Sequence, residues 1–185
     1  MTSKELAEKL RTIVETELDE LDSLIEEQDE ESEEEVSEEA VEAFPAPGKW
    51  SKKQELGHLI DSATNNHMRI VSAALIGGAL NGGALNGGAL NGGGYSGPGY
   101  AQNEWVDIHG YQELSWDDLV TFWCSYNLLI EHLLERIADD KLQVACTVGG
   151  GAPVSLGWLI EDYMVHMQHH LDRILNREEI TRHPR

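Results

Sequence analysis

The segment MVHMQHHLDRIL, Met164 to Leu175, holds three of the chain's eight histidines. On a helix, side chains four residues apart lie on one face about 6 Å apart. His166 and His170 can therefore reach a single metal ion, as other helical His-x-x-x-His pairs do. His169, three residues after His166, diverges from that face and is the weaker ligand candidate. Leu159, Tyr163, His166, His170 and Ile174 form one stripe, which turns the pair toward a core. Two buried imidazoles without a metal would each need a hydrogen-bond partner, and charging either would be costly. A packed pair of core histidines is thus the alternative to a metal site. Two imidazoles alone bind metal weakly, so a metal site calls for a third ligand. His58, between Leu56 and Leu59 in LGHLIDSATNNHMRI, supplies a candidate. His67, nine residues on, is expected to face solvent. His109 in a loop, His132 within LLIEHLLERI and His183 in a polar tail read as solvated or packing residues.

Four segments with helical periodicity must position these groups, and almost nothing reads as strand. The first, Ser3 to Ile25, repeats Leu6, Leu10, Ile13, Val14, Leu18 and Leu21. The second starts at Ser51, where SKKQ has the form of a capping box, and runs to about Leu75. The third opens at Ser115 with SWDD and continues to Ile137. The fourth follows Pro153, with Ser155 as its cap, and carries the histidine cluster. Four long amphipathic helices predict an all-α four-helix bundle. The expected organisation is one domain over residues 1–176 with a tail at 177–185. Two long low-complexity segments interrupt it. Residues 26–42 hold 11 acids in 17 positions, so 26–44 is expected to be a solvated, flexible stretch. Residues 77–99 repeat GGALN three times. Each glycine costs a helix up to about 1 kcal/mol relative to alanine, so this stretch is expected to be a flexible loop.

Charge and composition exclude several classes. The 185 residues carry a formal charge of −21, and the first 44 residues account for most of it. Such a chain is repelled by nucleic acid and by anionic membranes. No charged-then-apolar stretch of the signal-peptide kind and no apolar run of about 18 residues is read, so neither secretion nor a bilayer span is expected. Cys124 and Cys146 lack metal or redox spacing and suit a reduced compartment. The expected location is the cytoplasm.

The motifs PGKWSKKQELGHLIDS, PGYAQNEWVDI and EDYMVHMQHHLDRIL together resemble the DinB-like superfamily, in its YfiT branch of metal-dependent enzymes. Trp50, His58-Leu59-Ile60-Asp61, Tyr100 to Trp105 and His166-Met167-Gln168-His169-His170 match that family's elements in order and approximate spacing. The resemblance covers about Pro45 to Leu175. It implies an up-down-down-up four-helix bundle with a divalent ion held by His58, His166 and His170. Three neutral imidazoles leave a tetrahedral ion one open position. Zinc or nickel is the expected ion, with iron or manganese also compatible with the donor set. The resemblance further implies a thiol transferase or hydrolase acting on a small molecule, such as a low-molecular-weight thiol, and a homodimer.

Asp61 and Asp162 are the acids nearest the ligand positions in sequence. Asp162, four residues before His166, is the candidate for a base or for a group orienting a ligand, unless it is a surface acid. Arg69 and Arg173 are able to hold a carboxylate, although arginines on helices are commonly surface residues. Cys124 reads as packing beside Trp123. A non-enzymatic, metal-stabilised helical scaffold, with the acidic segment binding a basic partner, is the alternative function. Segments 26–42 and 77–94 exceed the family's usual lengths. They leave the histidine elements intact but put the shape of the substrate pocket in doubt.

Overall fold

A computed structural model of the chain describes residues 1–26, 38–76, 89–91 and 93–183. Four long helices form a bundle: α1 (Ser3–Glu26), α3 (Lys52–Ala74), α5 (Trp116–Glu135) and α6 (Leu156–Ile174). Between them lie two shorter ones, α2 (Glu39–Glu42) and α4 (Gln102–His109). Helix α1 packs mainly on α5, and α3 lies against both α5 and α6. The apolar repeat of α1 buries Leu6, Leu10, Val14 and Leu21 completely or nearly so. Trp116 and Trp123 fill the centre, and the Trp116 indole donates to the Leu21 carbonyl at 2.9 Å.

Serine caps set the starts of three of these helices. Ser51 and Gln54 form the full reciprocal box, satisfying two backbone N–H groups that the first turn of α3 leaves unbonded. Ser115 accepts from the Asp118 amide and Ser155 from the Trp158 amide, each at 3.1 Å. The α3 start is therefore fixed where His58 falls in its second turn.

The bundle is the expected all-α one, and a minor four-stranded sheet that the sequence reading did not place accompanies it. Its strands are β1 (Ala89–Asn91), β2 (Gly94–Gly97), β3 (Ala145–Val148) and β4 (Val154–Ser155), in that spatial order. The β2–β3 pair is parallel and the other two are antiparallel. The glycine-rich stretch expected to be a flexible loop therefore supplies two strands at its end, while 77–88 and 92 lie outside the described residues. Strands of two to four residues are too short to carry a readable alternating pattern, so periodicity could not reveal them. Their glycines are used for close approach: a Cβ on Gly97 would lie 2.0 Å from the Tyr95 hydroxyl.

The acidic segment is also partly ordered, although 27–37 lies outside the described residues. Val41 of α2 is fully buried. Glu38 and Glu42 converge on the ammonium of Lys53, which is itself buried, with Glu42 at 2.8 Å. Burial opposes the charge on Lys53, but its hydrogen bonds to the two carboxylates outweigh this and raise its pKa.

The tail beyond α6 is tied back to the bundle. Asn176 adopts a left-handed conformation, φ 53°, beyond the end of α6. Arg177 N donates to Asp172 O and Asn176 N to Arg173 O, the two bonds of a Schellman turn. That turn sends the chain back along α6. Arg177 pairs with Glu17, Glu20 and Asp172, and the Thr181 amide donates to Asp172 at 2.8 Å.

Candidate metal centre

Three histidines converge between α3 and α6. One ring nitrogen each from His58, His166 and His170 lies within 4.8 Å of the other two. His58 and His170 are buried, and His166 is half-buried at the wall of a cavity of about 520 Å³. His58 Nε2 and His166 Nε2 stand 3.1 Å apart.

The opposite side of each ring is engaged by an outer partner. His170 Nδ1 meets the Glu55 carboxylate, whose other oxygen pairs with Arg173 at 2.6 Å. The Tyr100 hydroxyl lies 3.4 Å from His58 Nδ1, and Ser62 Oγ lies 3.4 Å from His166 Nδ1. With Nδ1 protonated on each ring, the Nε2 lone pairs are left for a common ligand. Two nitrogens bound tetrahedrally at about 2.0–2.1 Å from zinc lie roughly 3.3 Å apart. The 3.1 Å separation is close to that value. Two imidazole lone pairs facing each other at this distance would repel unless a cation or a proton lay between them. The donor set and its orientation thus fit a divalent ion.

Electrostatics keep His166 and His170 in their ligating form. Burial, then the neighbouring His170 and His58 imidazoles, lower the His166 pKa from 6.5 to about 2. Burial also lowers His170, against the opposing pull of Glu55. Neutral imidazole is the form that binds metal. Trp50 covers the centre, its ring 4.9 Å from that of His58. Burial, followed by the charge of Asp61, pushes Tyr100 up to about 12, so it stays a phenol.

The remaining candidates separate clearly. His169 turns to the tail, with Nδ1 2.7 Å from the Thr181 carbonyl, and is outside the cluster. Asp162 lines the same cavity as His166, and its Oδ1 accepts from His183 Nε2 at 3.0 Å. Of the two readings, solvated or packing, His183 takes the second: its ring packs edge-on against His166, with centroids 5.1 Å apart. Asp61 does not join the centre. It is buried against α4 and the turn after it, accepting from the Tyr111 hydroxyl at 2.7 Å, with His109 Nδ1 at 3.1 Å. His109 ends α4 rather than lying in a loop. His67 is half-buried and bonded to the Tyr126 hydroxyl at 3.0 Å, not turned to solvent. His132 is exposed, and Cys124 is a half-buried free thiol.

Sequence reasoning had missed Glu55 and Ser62. Their signal was present, since they sit three residues before and four after His58 on one helical face. Arg173, a carboxylate-binding candidate by residue type, has its guanidinium on the Glu55 carboxylate.

A family model for the DinB superfamily matches residues 14–174. The chain belongs to the DinB superfamily. Among solved structures, it is similar to YfiT from Bacillus subtilis, described as a probable metal-dependent hydrolase with an unusual four-helix bundle topology. The TM-score is 0.66 with 16% identity, over 92% of this chain and 86% of that one. At this identity the likeness establishes the four-helix bundle fold. A search of curated proteins finds no match. Among the described residues, no helix of this DinB superfamily member is long and apolar enough to cross a membrane.

Proposed function

We propose that this protein is a metal-dependent hydrolase of small molecules, with His58, His166 and His170 holding one divalent ion, zinc or nickel by preference. The observation that carries the reading is the orientation of the three rings. Each has its Nδ1 engaged from outside, by Tyr100, Ser62 or Glu55, while the cluster opens on a cavity of about 520 Å³. A divalent ion held there would supply Lewis acidity toward water or a substrate oxygen or sulfur. YfiT, described as a probable metal-dependent hydrolase, shares the fold and supports the hydrolytic choice over thiol transfer.

The chain's own residues prepare the site for such chemistry. Glu55, braced by Arg173, holds the proton of His170 on Nδ1. Trp50 and Tyr100 shield His58 from water. Asp162 is the acid on the cavity wall among the described residues, and with His183 it forms the pair assigned to accept a proton from an attacking water. The exposed Phe122 and Leu129 on α5 offer an outer apolar stripe for a homodimer, which sedimentation would detect.

The test is elemental analysis of untagged protein, followed by metal titration of four alanine variants. One ion per chain is expected. His58→Ala, His166→Ala and His170→Ala should each largely abolish binding, whereas His169→Ala should retain it. Binding that survives all four substitutions would leave the cluster as core packing.

A further inference from the structure

His58, Ser62, Asn66 and Arg69 follow one another at four-, four- and three-residue steps along α3. They share a face, and the last three line the same cavity as His166. Arg69 is 9% exposed. Its guanidinium donates to Asn66 Oδ1 and to the Pro98 carbonyl, each at 3.2 Å. Both acceptors are neutral. No acidic side chain among the described residues pairs with it.

The chain has 34 acids and 13 bases, and the other buried cation among the described residues, Lys53, is paired with two carboxylates. Arg11, Lys53, Arg173 and Arg177 each reach one or more carboxylates. Arg69 is the more buried of the arginines, yet it lacks such a partner. Desolvating a cation without a counter-charge is costly, because neutral acceptors replace only part of its hydration. Guanidinium has five N–H donors in a fork suited to carboxylate, and two of its nitrogens are anchored in place. The Pro98 anchor follows β2, so the small sheet holds the guanidinium at the cavity. Val148, Val154, Trp158 and Leu159 supply an apolar wall beside it.

The geometry points to Arg69 as an anion-recognition site that takes the carboxylate of an amphipathic organic acid, with the acid's reacting group toward His58, His166 and His170. This deepens the hydrolase reading and rests on it for where the reaction occurs, but not for the carboxylate contact. The Cα atoms of His58 and Arg69 are about 16 Å apart along the helix, although arginine leans back toward the helix N-terminus. The acid group and the reacting group therefore sit at separate places on the ligand.

The probes are 4-phenylbutyrate and its uncharged counterpart 4-phenylbutanol, titrated calorimetrically into full-length protein in zinc-containing buffer. The wild type should bind the acid at least tenfold more tightly than the alcohol. Arg69→Gln should remove this preference, Arg69→Lys should keep part of it, and both should retain the wild-type zinc stoichiometry. Equal wild-type affinities for acid and alcohol would overturn the proposal without any variant, so a folding defect in Arg69→Gln cannot shelter it. A preference surviving in folded Arg69→Gln would also overturn it, since the carboxylate would then be held elsewhere. Inorganic phosphate displacing the acid at tenfold lower concentration would overturn the choice of carboxylate. An acid preference that depends on Arg69 in a protein binding no zinc would support the anion site while sinking the metal reading. Zinc bound one per chain with no acid preference would do the reverse.

Discussion

Replacing Glu55 by glutamine tests how the centre is held in its ligating state. Glu55 is buried and answers two donors at once, His170 Nδ1 with one oxygen and Arg173 Nη2, at 2.6 Å, with the other. Glutamine has one acceptor oxygen and one NH₂ group. If its oxygen stays with His170, the amide faces the Arg173 guanidinium donor to donor. If it turns to Arg173, the amide donates to His170 Nδ1 and drives the ring proton onto Nε2, where the metal lone pair is required. Loss of such an orienting partner typically weakens metal binding about 10–100-fold, or about 1.4–2.7 kcal/mol. Zinc affinity measured by competition with a chromophoric chelator should fall by that amount in Glu55→Gln, with stoichiometry unchanged. Circular dichroism would establish that the helices persist. Zinc affinity within twofold of the parent would refute the idea that Glu55 orients His170.

In metal-free protein, burial and the neighbouring His170 and His58 imidazoles push the His166 pKa down to about 2 from its ordinary 6.5. Below pH 6.5 the unfolded state takes up the proton and the folded state does not. Stability should therefore be complete above pH 6.5 and fall by up to about 1.4 kcal/mol per pH unit below it, from this group alone. Urea denaturation between pH 7.5 and 5 reads this, and a flat profile that His166→Ala leaves unchanged would contradict it. Gly57→Ala should destabilise despite a helix-propensity gain of up to about 1 kcal/mol, because the new methyl would lie 2.1 Å from the Tyr111 ring. Overpacking costs about 1–3 kcal/mol, so thermal melting should drop by several degrees, and a rise would show that the ring moves freely. Glu38→Gln combined with Glu42→Gln should cost more stability than Lys53→Met, since the former strands a buried ammonium and the latter leaves half-exposed carboxylates in water. Chemical denaturation of the two variants compares them, and the opposite ranking would sink the argument.

Local information specified the long helices and the pairing of His166 with His170. Apolar residues recur at three- and four-residue steps, and Ser51, Ser115 and Ser155 accept the first-turn amides that their positions predict. A four-residue step puts two imidazoles on one face whatever surrounds the helix. His58 was legible as a ligand candidate from its place beside buried leucines and from the motif order. How its ring meets His166 was not, because 108 residues separate the two and only the packing of α3 on α6 brings them to 3.1 Å. The same holds for Glu55 and His170, 115 residues apart, and for Asp162, whose partner His183 returns only because Asn176 turns the chain back. Strands of two to four residues left no periodic signal, since each is shorter than the span over which alternation can be read, and backbone pairing with distant segments defines them. Arg69 shows the limit most sharply: a helix arginine looks the same in sequence whether a carboxylate lies beside it or not. Burial and the identity of its acceptors are properties of the assembled bundle, because the groups that take water's place around a charge come from distant parts of the chain.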